Sequence, residues 1–227
     1  MAVQKIVVLN PKGGSGKTTI ATNLASFYAL REQHPALMDF DAQGSSMRWV
    51  QMRSETRPPI HGIAVYEQRP GVTRSFQLRV PADCRCVIVD TPAALEGHRL
   101  QDVTRGADAV IVPVLPSDID IHAAARCIAD LLRIAKIRRS DDRIGVVANR
   151  VQRKRTYQAL VRFLDRLSIP IVATLRDSQS YLYAAESGLG IHELDSPRAR
   201  ADVAQWHSLT SWLDAHPAPA FNAVAQA

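Results

Sequence analysis

Short apolar runs alternate along the chain with longer segments in which apolar residues recur every three or four positions. The short runs favour strands, and the longer segments favour amphipathic helices. Alternation of this kind predicts an α/β domain with a mostly parallel sheet and helices on both faces. The predicted strands span residues 4–10, 36–39, 62–66, 85–89, 109–114, 143–148 and 169–174. The predicted helices span residues 17–31, 45–52, 99–105, 119–136, 155–167, 179–187 and 197–213.

The most informative stretch is residues 10–19, Asn-Pro-Lys-Gly-Gly-Ser-Gly-Lys-Thr-Thr, between the first predicted strand and the first predicted helix. Strand, glycine-rich loop and helix form the context of a phosphate-binding loop, and so indicate a P-loop NTPase. Glycines let backbone amides approach an anion, and the helix start adds free N–H groups and a positive dipole end. Lys17 is predicted to reach the β- and γ-phosphates of ATP, and the Thr18 hydroxyl to bind Mg²⁺. The other predicted nucleotide-binding residues of the loop are Gly13, Gly14, Ser15, Gly16 and Thr19.

The loop departs from the usual motif at two positions. Pro11 stands where the strict pattern has glycine, and a second lysine, Lys12, lies inside the loop. An incidental glycine-rich turn is the alternative, but the flanking strand, helix and Lys-Thr pair all favour phosphate binding.

Acidic residues end two of the predicted strands. Asp39 and Asp41 flank Phe40 after the second strand, and Asp90 ends the run 86–89. The carboxyl edge of a parallel sheet presents such residues to a ligand, where they can hold Mg²⁺ through water or orient an attacking water. Because Asp39 and Asp41 are separated by a single residue, their two side chains do not easily point into the same site. Alternatives are a helix cap for the first two residues and a turn for Asp90.

Three segments together resemble the ParA/MinD family of deviant Walker-A ATPases. They are residues 12–19, 39–45 and 87–92, and the likeness extends to about Leu213. Ala42 departs mildly from the family, since many relatives have proline there. The resemblance implies a Mg²⁺-dependent ATP hydrolase, slow without its partner, that forms a homodimer in the ATP state.

The resemblance also implies roles for individual residues. Lys12 is expected to cross to the phosphates bound by a partner subunit. Asp41 is expected to act as the water-activating switch residue, Asp39 to support the metal side, and Asp90 to hold Mg²⁺. Asn149 follows the run 143–148 and is predicted to be an exposed polar residue at the same sheet edge. Its amide offers a donor and an acceptor that match adenine, and the resemblance supports base recognition, with an ordinary strand end as the alternative.

A row of arginines lies on the predicted helix 155–167. At 100° per residue, Arg155, Arg162 and Arg166 fall opposite the apolar side that holds Leu160 and Leu164. Such a row is either a solvated face or a sequence-neutral track for DNA phosphates. The basic run Arg153-Lys154-Arg155 leads into this helix, and Arg198 and Arg200 are candidates to extend the same basic surface.

The composition fits one cytoplasmic domain over residues 1–213, followed by a flexible tail at 214–227. The 227 residues are 46% hydrophobic and 22% charged, and the net charge of +6 suits a polyanionic partner. No apolar run approaches a membrane span. The three cysteines are too few for a disulfide framework and are predicted to be buried thiols, and the seven histidines lack metal-ligand spacing.

By resemblance, the leading functional hypothesis is a ParA-type positioning ATPase on the nucleoid. It would bind non-specific double-stranded DNA in the ATP state, and a ParB-like or cargo-specific adaptor would stimulate hydrolysis. The cargo would be a plasmid, a chromosome, a chemoreceptor cluster or a carboxysome. Since the loop begins close to Met1, no N-terminal DNA-reading domain is expected.

Two other classes share this loop. A MinD-like, membrane-associated division-site ATPase needs a basic amphipathic C-terminal helix, whereas residues 216–221 contain two prolines and no Lys or Arg. A P-loop metabolic enzyme, such as an iron–sulfur reductase, needs cysteines after the second switch segment. Cys84 and Cys86 precede Asp90, and Cys127 has no companion within its predicted helix.

Overall fold

A computed structural model of the chain describes residues 2–67, 71, 73–95, 97–152 and 154–218. The seven predicted strands are all present within this range, with small shifts at their ends. In chain order they are β1 (Gln4–Val8), β2 (Ala36–Asp39), β3 (His61–Ala64), β4 (Cys86–Asp90), β5 (Ala109–Val114), β6 (Ile144–Val151) and β7 (Ile171–Arg176).

The strands form one parallel sheet in the order β3-β2-β4-β1-β5-β6-β7. The chain leaves β1 toward β2 on one side, returns through β4, and then continues through β5 on the other side. Ligands of open α/β sheets bind at the carboxyl edge where the strand order reverses in this way. The register places Asp39 level with Asp90, and Asp90 level with Val8, so that the carboxylates stand beside the end of β1.

The helices fall close to their predicted positions, with two differences. The segment predicted as one helix over 197–213 is two helices, which meet at Gln205 and Trp206, and the short α3 was not predicted. The helices are α1 (Lys17–Leu30), α2 (Ser45–Gln51), α3 (Arg74–Gln77), α4 (Gly97–Thr104), α5 (Asp118–Arg133), α6 (Lys154–Leu167), α7 (Gln179–Glu186), α8 (Pro197–Ala204) and α9 (His207–Asp214).

Two apolar clusters cover the two faces of the sheet. Consecutive residues of β1 alternate between them, because neighbouring side chains of a strand point to opposite faces. Helices α1, α2, α8 and α9 pack in the first cluster, around Leu24, Trp49 and Trp206. Helices α4, α5 and α6 pack in the second cluster, where Leu160 and Leu164 are buried as their spacing predicts. This layering fixes which helices can share a surface.

Cys84, Cys86 and Cys127 are free and buried, as predicted. Arg153 and residues 219–227 of the predicted tail lie outside the described residues. Among the helices of the described ranges, none combines the length and apolar character needed to cross a membrane.

Candidate nucleotide site

The loop between β1 and α1 is held at its start by Asn10. The Asn10 Nδ2 donates to the carbonyl oxygen of Pro113 at 2.7 Å, and its Oδ1 accepts the Lys12 amide at 2.8 Å. Further along, Gly14 and Gly16 have φ angles of +75° and +97°. These are left-handed conformations that glycine adopts most readily. The glycine spacing read from the sequence therefore matches what the backbone requires.

Asn149 supports the same loop from β6. It is 7% exposed, so the prediction that it is an exposed residue is wrong. Its Nδ2 donates to the carbonyl oxygen of Ser15 at 2.8 Å, and its Oδ1 accepts the amide of Arg150 at 3.0 Å. A Cβ on Gly16 would lie 2.2 Å from the same Nδ2. The side chain thus packs directly under the loop, while its role in base recognition stays a prediction.

Lys17 brings a positive charge into the centre of the site. The residue is 7% exposed, and its Nζ donates to the carbonyl oxygen of Lys12 at 3.1 Å. Burial lowers the pKa of the Lys17 amine, while the negative charges of Asp90 and Asp41 raise it. Three of the predicted site residues therefore lie within electrostatic reach of one another.

Asp90 is a buried carboxylate with one free oxygen. Its Oδ2 accepts a hydrogen bond from the Ser46 hydroxyl, whereas its Oδ1 is buried without a hydrogen-bond partner among the described residues. Burial raises the pKa of Asp90 to about 6, and the Ser46 and Thr18 hydroxyls oppose that shift. An unpartnered carboxylate oxygen beside a threonine hydroxyl fits the oxygen ligands that Mg²⁺ prefers.

Asp39 has a different environment from Asp90. One of its oxygens accepts the amide of Asp41 at 2.9 Å, and the other accepts the amides of Ser46 at 3.1 Å and Met47 at 3.3 Å. These contacts are those of the helix-capping alternative, since they satisfy free N–H groups in the first turn of α2. The metal-side role of Asp39 stays a prediction.

Asp41 remains partly exposed and close to Lys17. Its Oδ1 accepts the amide of Gln43 at 3.0 Å, which closes a small turn at the loop between β2 and α2. Asp39 and Asp41 therefore do point to different partners, as their spacing around Phe40 suggests. Ser46 contacts both Asp39 and Asp90 and so joins the two strand ends.

Lys12 points to a partner within its own chain. Its Nζ lies 2.8 Å from Oδ1 of Asp120, in the first turn of α5. The side chain of Lys12 keeps 36% of its surface exposed, whereas that of Asp120 keeps 5%. Sequence reasoning placed Asp120 in no site.

The predicted arginine row lies on α6, away from the loop. Arg155, Arg162 and Arg166 are all exposed, and we call them the arginine face. Arg198 and Arg200 lie on α8, which packs in the layer on the other side of the sheet. They therefore share no helix layer with the arginine face, and a part for them in DNA binding stays a prediction.

Comparison with known proteins adds to this geometry. Residues 6–191 match the model of the CobQ/CobB/MinD/ParA nucleotide binding domain, which covers most of the chain and includes the whole of the site described above. The chain belongs to this family. Nucleotide binding, already indicated by the loop, is thus a family property of the domain.

Individual members of the ParA/MinD family resemble the chain over nearly its full length. It is 30% identical over 218 residues to the maintenance of carboxysome distribution protein A of Gloeobacter kilaueensis, covering 92% of this chain and 93% of that protein. The protein of the same name from Halothiobacillus neapolitanus is 28% identical over 203 residues, covering 87% and 91%.

A solved structure confirms the ParA/MinD fold. The ATP complex of a variant of McdA from Cyanothece superposes with a TM-score of 0.66 at 15% identity, covering 92% of this chain and 97% of that one. At this level of identity the likeness concerns the fold. It supports the single-domain α/β architecture predicted from the alternation of apolar runs.

Proposed function

We propose that this protein is an ATP-dependent dimerising ATPase that positions an intracellular cargo along non-specific DNA. The observation that carries the proposal is the meeting of Lys17, Thr18, Asp41 and Asp90 around a glycine-rich loop that holds a second lysine. A single nucleotide site is served by one lysine at the position of Lys17. The extra cation, Lys12, is the feature that favours a partner subunit.

Each side chain has a defined part in ATP hydrolysis, which depends mostly on positioning and charge neutralisation. Loop amides and the start of α1 bind the phosphates, and Lys17 neutralises their charge. Thr18 and the free oxygen of Asp90 would hold Mg²⁺, directly or through water, and the ion would supply positive charge that offsets the charge of the phosphates. Asp41, which is partly exposed, orients the attacking water.

DNA binding is assigned to the arginine face of α6. Its three guanidinium groups are exposed on a helix whose opposite side is buried, so they are free to contact phosphates. Such contacts are independent of sequence and sensitive to salt. Among the cargoes considered, the carboxysome is favoured by the two relatives whose names refer to carboxysome distribution. We further propose that an adaptor on the cargo stimulates hydrolysis and so releases the ATPase from DNA.

Replacing Lys12 tests the proposal at its centre. We expect Lys12→Ala to remain monomeric with Mg²⁺ and AMPPNP in analytical ultracentrifugation, under conditions where the wild type dimerises, because the partner's phosphates lose a cation. The affinity of the monomer for ADP should change by less than about threefold, since Lys17 and the loop amides remain.

The matched control is Lys136→Ala, which removes the same charge at an exposed position. This variant should dimerise as the wild type does. A wild type that stays monomeric with the ATP analogue, or a Lys12→Ala variant that dimerises normally, would contradict the proposal.

A further inference from the structure

The ion pair between Lys12 and Asp120 joins two parts of the nucleotide edge that lie far apart in the sequence. Asp120 is 4% exposed and sits in the first turn of α5, where the positive end of the helix dipole favours a carboxylate. Its Oδ1 is 2.8 Å from the amine of Lys12. An ion pair between two exposed side chains contributes little to stability. The carboxylate of Asp120 is buried, so removing its cation would leave an uncompensated buried charge.

The carboxylate of Asp120 is also fixed in orientation. Its Oδ2 accepts a hydrogen bond from the Ser117 hydroxyl, whose oxygen in turn accepts the Asp120 amide at 3.2 Å. Ser117 therefore caps α5 and holds the carboxylate at the same time. Forming an ion pair normally costs side-chain entropy, because both side chains lose rotational freedom. For Asp120 that freedom is already restricted by Ser117.

The backbone of Lys12 is held in the same position. Its amide donates to Oδ1 of Asn10 at 2.8 Å, and its carbonyl oxygen accepts from Nζ of Lys17 at 3.1 Å. Both the main chain and the side chain of Lys12 are thus engaged within one subunit. A lysine held in this way is not available to a second subunit.

We propose that Asp120 is a positioning residue that retains Lys12 on its own subunit until a triphosphate in a closing dimer replaces it. This inference rests on the proposed function, since it assumes that Lys12 crosses the dimer interface. Release of Lys12 leaves the buried carboxylate of Asp120 without its cation. Closure of the dimer is therefore less favourable in free energy by the loss of one ion pair in each subunit. Only a ligand that attracts the amine more strongly than one carboxylate can close the dimer.

The cost counts twice in a symmetric dimer, because both subunits must release their lysine. If each ion pair weakens closure about fivefold, as expected for a partly exposed pair, then the dimer dissociation constant is raised about 25-fold. Removal of the charge of Asp120 should therefore tighten the dimer, which is the opposite of what loss of a structural residue would do.

The test is Asp120→Asn, measured by analytical ultracentrifugation with Mg²⁺ and AMPPNP. We expect the dimer dissociation constant to fall about 25-fold, while the affinity of the monomer for ADP stays within about twofold. The matched control is Asp118→Asn, which removes the same charge from the same helix turn at an exposed position. It should leave the dimer dissociation constant as in the wild type.

The proposal about Asp120 is overturned if Asp120→Asn leaves dimerisation unchanged or weakens it. If Lys12→Ala abolishes dimerisation in the same experiment, the proposed function still stands. A wild type that never dimerises refutes the proposed function instead.

A second measurement on the wild type needs no buried substitution. In the nucleotide-free protein, acetylation of Lys12 by acetic anhydride, followed by mass spectrometry, should speed up about fivefold in 1 M NaCl, since salt weakens a partly exposed ion pair. Acetylation of the exposed Lys136 should not change. Equal salt responses of the two lysines would show that Lys12 is not paired and would overturn the inference, whether or not the protein dimerises.

Discussion

The carboxyl edge of the sheet and the arginine face of α6 both gather charge, but they hold it in different ways. At the sheet edge, Lys17, Asp39 and Asp90 are buried, and each has fixed partners within the chain. On α6, Arg155 and Arg162 are exposed to solvent. The first set is positioned by contacts within the fold, whereas the second set is open to solvent.

This difference predicts how each region responds to change. Buried charges interact in a medium of low effective dielectric constant, so a single substitution changes stability and chemistry together. Exposed charges are screened by salt, so several must be removed before binding weakens clearly. The following predictions test the contrast, from the largest effect to the smallest.

The strongest effect is expected at Gly16, where both conformation and space exclude a side chain. Gly16→Ala should weaken ATP binding about 1,000-fold, because left-handed strain and the clash with Asn149 together cost about 4 kcal/mol in the phosphate-binding loop. Isothermal titration calorimetry measures this. Gly106→Ala is the control for strain, since Gly106 has a φ of +67° but open space around it. If Gly16→Ala bound ATP as tightly as the wild type, then neither the clash with Asn149 nor the positive φ would constrain the loop as proposed.

The next largest effect is expected at Asp90. Burial of its ionised carboxylate lowers the free energy of unfolding. Its folded-state pKa of about 6 exceeds the ordinary value of 3.8. This group therefore stabilises the folded state most below about pH 4, and the contribution is lost as pH rises through about 6. Asp90→Asn should raise the free energy of unfolding by about 3 kcal/mol at about pH 8 and abolish Mg²⁺-dependent hydrolysis.

Urea denaturation at several pH values checks this prediction. The wild type should lose free energy of unfolding relative to Asp90→Asn between about pH 4 and about pH 6, with a constant difference at higher pH. If the variant is less stable than the wild type at about pH 8, then the carboxylate is not strained by burial and the contrast between the two regions fails.

The smallest effect per residue is expected on the arginine face. Replacing Arg155, Arg162 and Arg166 together by alanine should weaken binding to random-sequence duplex DNA about 10- to 100-fold. The slope of log affinity against log salt should fall by about 3, since three phosphate contacts are lost. The affinity for ATP should stay unchanged. Fluorescence anisotropy across a salt series measures both quantities.

A charge-matched control separates this face from net charge. It replaces three exposed arginines away from α6, namely Arg57, Arg198 and Arg200. This control lowers the net charge equally and should keep most of the DNA affinity. If both triple variants lose DNA binding to the same degree, then overall charge and not the arginine face determines it.

Much of this architecture could be read from the sequence because it depends on local pattern. Apolar runs gave the seven strands, and helical spacing placed Leu160 and Leu164 on the buried side of α6. The loop from Lys12 to Thr18 was recognisable because its glycines, lysine and threonine are adjacent in the chain. The division between α8 and α9 does not show in the sequence because the residues on both sides have helical spacing. It depends on a distant contact, in which the side-chain oxygen of Gln205 accepts a hydrogen bond from the amide of Arg176.

The sequence by itself determined the order of strands and helices, the family, and the residue types at the nucleotide edge. Only the tertiary structure decided that Asn149 supports Ser15, that Asp39 caps α2 while Asp90 keeps a free oxygen, and that Lys12 pairs with Asp120. The physical reason is distance along the chain. Secondary structure follows from neighbours a few residues apart, whereas these contacts form between strand ends and helix starts that meet only when the sheet is assembled.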